Sequence, residues 1–189
     1  ASAMAGYVCG NAKGRIITVI FWMFLVPIFV TRITILVAQF VIVYKLRLNG
    51  LPAAIMMPLY WPIGIFLFRN AFQAIPEDYL ESARIDGANE AVVFGRIALP
   101  MVKPVVGLGI IMQGMASLGD YIWQMLNLKA AQKQTLLVAL LNTTIDVTVI
   151  DQVGYDLAVG TVLLIPYVII FAFSGRYFAK GLSEGGLRG

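Results

Sequence analysis

Charged side chains that could make specific contacts are concentrated in one stretch of this otherwise apolar chain, residues 77–104. The stretch reads EDYLESARIDGANEAVVFGRIALPMVKP. Within it, Glu81 and Asp86 carry carboxylates that could accept charge-assisted hydrogen bonds from an Arg or Lys of a partner protein. The chemistry that these residues offer is recognition of another protein.

Catalytic and metal chemistry are poorly provided for. The chain has no His, and Cys9 is its only cysteine, so neither a Cys/His metal cluster nor a disulfide framework can be built from it. An intramembrane hydrolase would need a carboxylate pair, a serine beside a base, or a metal cluster within the apolar segments, and none of these is present. We expect no catalytic residue, no metal and no cofactor, and therefore no enzyme.

Composition indicates a membrane protein. Hydrophobic residues make up 60% of the chain, charged residues 13%, and the mean hydropathy is +0.85. A soluble domain has about 25% charged residues. The net charge of +4 does not indicate nucleic-acid binding, because the fourteen Lys and Arg residues are scattered at segment ends, where they fix orientation in a bilayer.

The pattern of apolar segments predicts an all-α, polytopic transmembrane bundle that forms a single domain over residues 1–189. Residues 1–9 are too short to span, since a crossing helix needs about 20 residues, and are predicted to be the end of a truncated span. Pro52, Pro58 and Pro62 predict a kink in the second full span, which neighbouring helices would tolerate. The predicted spans are about 16–36, 51–70, 104–124 and 156–175, with a loop at 76–100 and a tail at 176–189.

The loop at 76–100 is predicted to form two short helices. Pro76 suits the first turn of a helix, and Gly87 suits its end because glycine adopts the left-handed conformation readily. Asn89 is a suitable cap for a second helix that runs to roughly Ile97 and turns Val92, Val93 and Phe94 toward partners. Ala83, Gly87 and Ala88 have so little side chain that a cleft on a partner could close over this two-helix knob.

Charge counting predicts which side of the membrane the loop faces. If the loop is cytoplasmic, nine Lys and Arg residues lie on its side and four on the other, with Arg32 unassigned. The excess of positive charge on the loop's side agrees with a cytoplasmic loop. The nine are Lys13, Arg15, Arg69, Arg84, Arg96, Lys103, Arg176, Lys180 and Arg188, and the four are Lys45, Arg47, Lys129 and Lys133.

The spacing within the loop resembles the E-A-A-x3-G-x9-I-x-L-P signature of the permease subunits of bacterial ABC importers. Ser82 departs from the usual Ala and is also small. In that family the signature loop couples the permease to the ATPase, so the resemblance implies a coupling role for this loop. The matching residues are Glu81, Ser82, Ala83, Asp86, Gly87, Ala88, Phe94, Ile97, Leu99 and Pro100.

Other segments resemble the maltose-type carbohydrate uptake family. Residues 117–126 are similar to its S-W-N-E-F-L-W-P-L segment, Gln134-Thr135-Leu136 to its Q-T-L-P, and residues 176–189 to its C-terminal ending. The resemblance implies the type I ABC importer permease fold in a bacterial inner membrane, crossed several times. It also implies three partners: a cytoplasmic ATPase dimer, a second permease subunit and an extracellular sugar-binding protein.

Contacts with the transported solute are predicted near residue 120. Asp120, Tyr121 and Trp123 stand at the polar end of a span, where they could bind a sugar or simply form an interfacial belt. Gln113, within the span, could bond a sugar or a neighbouring helix. Leu118, Gly119 and Gln124 depart from the family pattern in this region, which leaves the sugar unidentified.

The C-terminal glycines have two readings. In the maltose-type family the tail reaches the interface of the ATPase dimer, which the resemblance would carry to Gly181, Gly185, Gly186 and Gly189. A flexible terminus is the other reading.

Two other transporter classes stay open. A permease for an amino acid, peptide, polyamine or glycerol phosphate would share the signature loop, and the segments at 117–126 and 176–189 argue against it. An ion-driven transporter would need buried carboxylates within the bilayer, for which Asp120 alone is thin support.

Overall fold

The computed structural model describes residues 1–12, 14–128, 134–143 and 152–185, and all regular elements in these ranges are helices, as the sequence predicts. The helices are α1 (Ser2–Asn11), α2 (Arg15–Leu25), α3 (Arg32–Lys45), α4 (Leu51–Leu59), α5 (Pro62–Gln73), α6 (Glu77–Ile85), α7 (Glu90–Val92), α8 (Leu99–Met101), α9 (Lys103–Leu118), α10 (Tyr121–Asn127), α11 (Leu136–Thr143) and α12 (Gln152–Gly185). A 3-10 turn, Val26–Phe29, follows α2, and a π-helical segment, Val93–Ala98, joins α7 to α8. The chain divides into two compact units.

The first unit, Ala1–Ile35 with Leu59–Ile110, is built around the pairing of α1 with α5. A Cβ atom on Gly6 would lie 2.6 Å from the Cβ of Phe68, and one on Gly10 would lie 3.3 Å from the carbonyl oxygen of Arg69. Two glycines one turn apart therefore let the backbones of the two helices approach closely, a common device in membrane helix pairs.

Arg69 ties a third helix to this pair. Its Nε donates a 3.1 Å hydrogen bond to the carbonyl of Cys9 at the end of α1. Its guanidinium carbon lies 4.3 Å from the centre of the Phe21 ring in α2, within the range of a cation–π contact. Phe21 itself is buried with Cys9 and Ile65 in a small apolar cluster. The middle of α5 is thus held against both α1 and α2.

The second unit comprises Leu36–Pro58 and the described residues from Ile111 onward. Trp123 of α10 is 1% exposed, and its indole Nε1 donates a 3.1 Å hydrogen bond to the carbonyl of Ala53 in α4. A Cβ atom on Gly119 would lie 3.1 Å from the hydroxyl oxygen of Tyr167, so α12 comes close to the turn before α10. Within this unit α11 packs against both α10 and α12.

Proline and glycine divide the apolar segments more finely than the sequence predicts. The segment at 51–70 is two helices, because Pro62 begins α5 and its missing N–H ends any continuation from α4. The segment at 104–124 likewise ends α9 at Leu118 and restarts at Tyr121. The break at Tyr60-Trp61 lies beside Pro58 and Pro62, where the sequence predicts a kink, and the turn that contains Pro27 separates α2 from α3.

Two further differences concern the C-terminal third. The helix α11 was not predicted. The predicted division at residue 175 is absent, since α12 runs unbroken from Gln152 to Gly185 despite Pro166 inside it. After Pro166 no further proline interrupts the backbone hydrogen bonds, so the helix passes through Gly175 and Gly181.

By length and composition, one stretch within the described residues can cross a membrane unaided, Val153–Ser174 of α12. Two bent pairs of helices also pass if each pair counts as one span, which brings the number to three. The pairs are Arg15–Phe29 with Arg32–Lys45, bent by 112°, and Glu90–Met101 with Lys103–Leu118, bent by 83°.

Candidate functional site

The loop between α5 and α9 folds onto the first unit through an apolar inner face. Leu80 and Ala83 of α6 are buried with Tyr7 of α1 and Phe72 of α5. The ring of Tyr7 meets that of Phe72 edge-on, with centroids 5.3 Å apart. Leu80 and Ala83 stand three positions apart, so they share one face of α6. The loop is therefore an integral part of the first unit.

Gly87 makes the corner of the loop. Its φ of 85° is in the left-handed region, and a Cβ atom there would meet nothing within 4 Å. The Gly87 N–H donates to the carbonyl of Arg84 at 3.1 Å, and the Ala88 N–H donates to that of Ala83 at 3.0 Å. This pair of bonds satisfies the last carbonyls of α6 in the usual glycine-terminated way. The prediction that α6 ends at Gly87 is confirmed, and conformation rather than space requires the glycine.

Asn89 begins the second half of the loop. Its side-chain oxygen accepts a 2.9 Å hydrogen bond from the backbone N–H of Val92, which confirms the predicted cap. Beyond α7 the chain widens into the π-helical segment and then closes again as α8. The second helix thus continues past Ile97 and Pro100 to Met101, because proline is accepted in the first turn of α8.

Glu90 forms a bridge that the sequence does not predict. Its Oε1 accepts a 2.7 Å hydrogen bond from Nε of Arg84, and its Oε2 accepts a 2.9 Å hydrogen bond from the hydroxyl of Tyr7. The Arg84 bond, and then the Tyr7 bond, hold the pKa of the Glu90 carboxyl below its usual value of 4.5. One carboxylate therefore joins α6, α7 and α1. No regular spacing relates Tyr7 to Glu90, so a scan of the loop alone could not find this contact.

The outer face of α6 is open to solvent. Glu81, Ser82 and Asp86 are exposed. The Ser82 hydroxyl donates to the carbonyl of Asp78 one turn earlier. Ile85 is 85% exposed, and Tyr79 is 59% exposed. An apolar side chain one turn after Glu81, on a face that is otherwise charged, is the signal that sequence reasoning missed.

Several loop residues face inward instead of outward. Val93 is fully buried, and the Phe94 ring packs against those of Tyr7 and Phe72, with centroids 5.1 and 6.0 Å away. The expectation that Val93 turns toward partners is therefore wrong, because the rings of α1 and α5 offer it an apolar site within the chain, while Phe94 packs against the same rings and stays half-buried. Ala83 is buried in the same cluster. Besides Phe94, the partly buried members of the signature packed against it are Ala88, Ile97 and Leu99.

The residues predicted to line a solute path lie around the α9–α10 turn. Gln113, Asp120 and Tyr121 are half-buried. Trp123 differs, since its ring is enclosed and its N–H is bonded to Ala53. A ring held in this way is not available for stacking on a sugar.

The structure describes two of the four C-terminal glycines. Gly181 and Gly185 belong to α12, whereas Gly186 and Gly189 lie outside the described residues.

Comparison with known proteins gives a consistent family. Residues 1–184 match the family described as "Binding-protein-dependent transport system inner membrane component". The chain is 31% identical over 195 residues to the arabinooligosaccharides transport system permease protein AraQ of Halalkalibacterium halodurans, covering 100% of this chain and 67% of that protein. The AraQ protein of Bacillus subtilis is also 31% identical, with 100% of this chain and 66% of that protein covered.

A solved structure has the same fold. It is a bacterial ABC transporter involved in the import of the acidic polysaccharide alginate, and it matches with a TM-score of 0.71 at 23% sequence identity. The match covers 94% of this chain and 67% of that one. This chain thus spans about two thirds of the length of the relatives that it matches.

Proposed function

This chain belongs to the family of binding-protein-dependent transport system inner membrane components, and on that premise we propose that it is the permease subunit of an ATP-driven importer of a sugar or oligosaccharide. In this role the chain forms half of a translocation pathway and catalyses no reaction. A separate ATPase subunit hydrolyses the ATP.

The observation that carries the proposal is the two-sided loop between α5 and α9. Its inner face is fixed to α1 and α5 by buried side chains, while its outer face presents Tyr79, Glu81, Ile85 and Asp86. An exposed isoleucine and tyrosine flanked by carboxylates suit a protein partner, since an apolar anchor within a polar rim is the usual composition of an interface. We assign this face to the ATPase.

Movement at this surface would reach the membrane helices directly. Because the inner face is packed, closure of an ATPase dimer would displace the loop together with α1 and α5 as a rigid body. The attached helices would then alternate the pathway between its inward-facing and outward-facing states.

The choice of a sugar rests on the relatives and on three segments. Both AraQ proteins are named for arabinooligosaccharide transport. Residues 117–126, Gln134-Thr135-Leu136 and the C-terminal segment resemble the maltose-type family. We place Gln113, Asp120 and Tyr121 along the solute path, where half-buried polar groups could exchange hydrogen bonds with hydroxyl groups.

The remaining partners follow from the same proposal. A second permease subunit would supply the other half of the pathway, and an extracellular or periplasmic binding protein would deliver the solute. The assembly would sit in a bacterial inner membrane, with the loop and the end of α12 in the cytoplasm. Gly181 and Gly185 would then lie on the ATPase side of the membrane.

Reconstitution tests the proposal. Vesicles that contain this permease, its second permease and its ATPase, with ATP inside the vesicle lumen facing the ATPase, are supplied with the binding protein and a panel of labelled oligosaccharides. We expect uptake of at least one oligosaccharide that requires ATP and continues in the presence of a proton uncoupler.

Other results of this experiment would contradict specific parts of the proposal. Uptake that stops with the uncoupler while ATP is present would indicate an ion-driven transporter. ATP-dependent uptake of an amino acid, a peptide or glycerol phosphate, with no oligosaccharide transported, would keep the importer and refute the sugar.

A further inference from the structure

We infer that the Glu90 carboxylate, held by Tyr7 and Arg84, links the coupling loop to α1 and makes the two move together. This inference rests on the proposed function and goes beyond it, because it assigns the transmission of movement to a residue outside the signature. Glu90 acts through Tyr7 and Arg84, so it is a positioning residue.

The two carboxylate oxygens of Glu90 accept hydrogen bonds from two different parts of the chain. Oε1 accepts from Arg84 at 2.7 Å, and the residues it connects stand on either side of the corner at Gly87. Oε2 accepts from the Tyr7 hydroxyl at 2.9 Å, across 83 positions of the chain. The first bond closes the corner of the loop, and the second attaches that corner to a different helix.

The donor on α1 is rigidly held, which is what a mechanical link requires. Tyr7 is 6% exposed, and its ring is fixed between Phe72 and Phe94. Its neighbours Gly6 and Gly10 hold α1 tightly against α5. A displacement passed to the Tyr7 hydroxyl is therefore carried to the α1–α5 pair, because the ring is buried and packed against Phe72 and Phe94.

Stability alone does not account for the arrangement. Arg84 and Glu90 side chains are 36% and 62% exposed, and exposed ion pairs contribute little to folding. The corner could already be held by Asn89 and by the hydrogen bonds around Gly87. What Glu90 adds is a direct polar contact between the outer part of the loop and α1, in addition to the apolar contacts beneath.

The test measures how α1 responds when the ATPase binds. The permease is purified in complex with its second permease, and amide hydrogen exchange is followed with and without the ATPase and a non-hydrolysable ATP analogue. In the wild type we expect slower exchange in the exposed part of the loop and a change in α1. In Tyr7→Phe and Glu90→Ala we expect the loop to be protected as before and the α1 response to be lost.

Three variants show whether a change in the α1 response comes from the Glu90 hydrogen bonds. Tyr7→Phe removes one hydroxyl and keeps the packed ring, so it does not depend on whether Glu90→Ala folds. Glu90→Gln keeps an acceptor for Tyr7 and loses the charge that faces Arg84, so its response should lie between those of the wild type and Glu90→Ala. Tyr44→Phe removes the hydroxyl of a tyrosine that is 64% exposed in the second unit and should respond like the wild type.

Each result has one meaning. An α1 response that is equal in the wild type, Tyr7→Phe and Glu90→Ala, with the loop protected in all three, overturns the inference and leaves the proposed function intact. Failure of the ATPase to protect the wild-type loop overturns the docking assignment, and the inference falls with it. In reconstituted vesicles the inference also expects less solute moved per ATP hydrolysed in Tyr7→Phe and Glu90→Ala, which mere loss of folded protein would not produce.

Discussion

Gly6 and Phe68 touch so closely that no side chain could stand between them. A Cβ atom on Gly6 would lie 2.6 Å from the Cβ of Phe68 and 2.9 Å from the backbone nitrogen of Arg69. Because the second contact is with backbone, a rotamer change cannot relieve it. This contact sets the distance between α1 and α5, on which the loop above them depends.

We expect Gly6→Ala to force these two helices apart and to lower the free energy of unfolding by about 1–3 kcal/mol, the cost typical of overpacking. Gly160→Ala is the matched control, since a Cβ atom on Gly160 meets nothing within 4 Å. An alanine in the middle of a helix should stabilise it by about 0.5–1 kcal/mol relative to glycine. Thermal unfolding in detergent micelles measures both, and equal melting temperatures for the two variants would contradict the close contact.

Substitutions at Gly87 distinguish the backbone conformation that this position requires from its role in docking the ATPase. Because its φ is 85° and the space beside it is open, Gly87→Ala should cost about 1–2 kcal/mol of stability, whereas Gly87→Asn should cost less, since asparagine tolerates this conformation. Gly87→Leu has the same backbone cost as alanine and adds bulk on the exposed side. We expect only Gly87→Leu to abolish co-purification of the ATPase from cells that express both proteins. Recovery of a full complex with Gly87→Leu would argue against docking at the corner.

Ile85 tests the outer face itself. Since the side chain is 85% exposed, Ile85→Asp should leave the melting temperature of the permease unchanged and reduce recovery of the ATPase at least about tenfold, the effect of losing an interface anchor. Ile85→Val keeps an apolar surface at the same position and should retain the ATPase. Normal recovery of the ATPase with Ile85→Asp would exclude this residue from the interface.

Trp123→Phe tests the anchor of α10. The substitution removes the indole donor to the Ala53 carbonyl and shrinks a ring that is 1% exposed, which together should cost about 1–3 kcal/mol. Trp22→Phe is the control, because Trp22 is 59% exposed and a surface change of this kind stays within about 0.5 kcal/mol. Thermal unfolding distinguishes them, and a loss no larger for Trp123→Phe than for Trp22→Phe would mean that the indole bond contributes nothing.

Glu90 predicts a dependence on pH. Its hydrogen bonds hold the pKa of the folded carboxyl below 4.5, so the ionised group stabilises the fold above that pH, and the stabilisation is lost as the pH falls through the folded pKa. Because the pair with Arg84 is largely exposed, the contribution is about 0.2–1 kcal/mol. The melting temperatures of the wild type and Glu90→Gln should therefore differ at pH 7 and converge below pH 4.5. A constant difference across this range would show that the charge is not the cause.

Local signals in the sequence were enough to predict the outline of the loop. Gly87 and Asn89 act on their own backbone, through a left-handed φ and a side-chain cap, and the structure has both as expected. Pro76 lies one residue earlier than predicted: it precedes the first turn of α6, with an extended ψ of 131°, and the helix begins at Glu77. The inward turn of Val93 and Phe94 depends on rings that belong to α1 and α5. A pattern read along 76–100 contains no information about those distant residues.

The same reasoning explains the helix bounds. Hydropathy alone marks 51–70 and 104–124 as continuous, because the residues at their breaks, Tyr60-Trp61 and Gly119-Asp120, occupy too few positions to alter an average over twenty residues. The bond from Trp123 to Ala53 is equally invisible, since an aromatic residue near the end of a span is expected whether it is enclosed or exposed.

The unbroken length of α12 fixes how far its C-terminal end lies from the membrane. Its 34 residues measure about 51 Å at 1.5 Å per residue, while the apolar stretch Val153–Ser174 accounts for about 33 Å, close to the thickness of the hydrocarbon layer. With that stretch in the bilayer, the residues of α12 after Ser174 extend about 16 Å beyond it as a continuous helix. Gly185 would then lie at a fixed distance from the hydrocarbon layer, whereas a flexible linker would allow that distance to vary. A partner that contacts the C-terminal end of α12 must therefore lie within about 16 Å of the hydrocarbon layer.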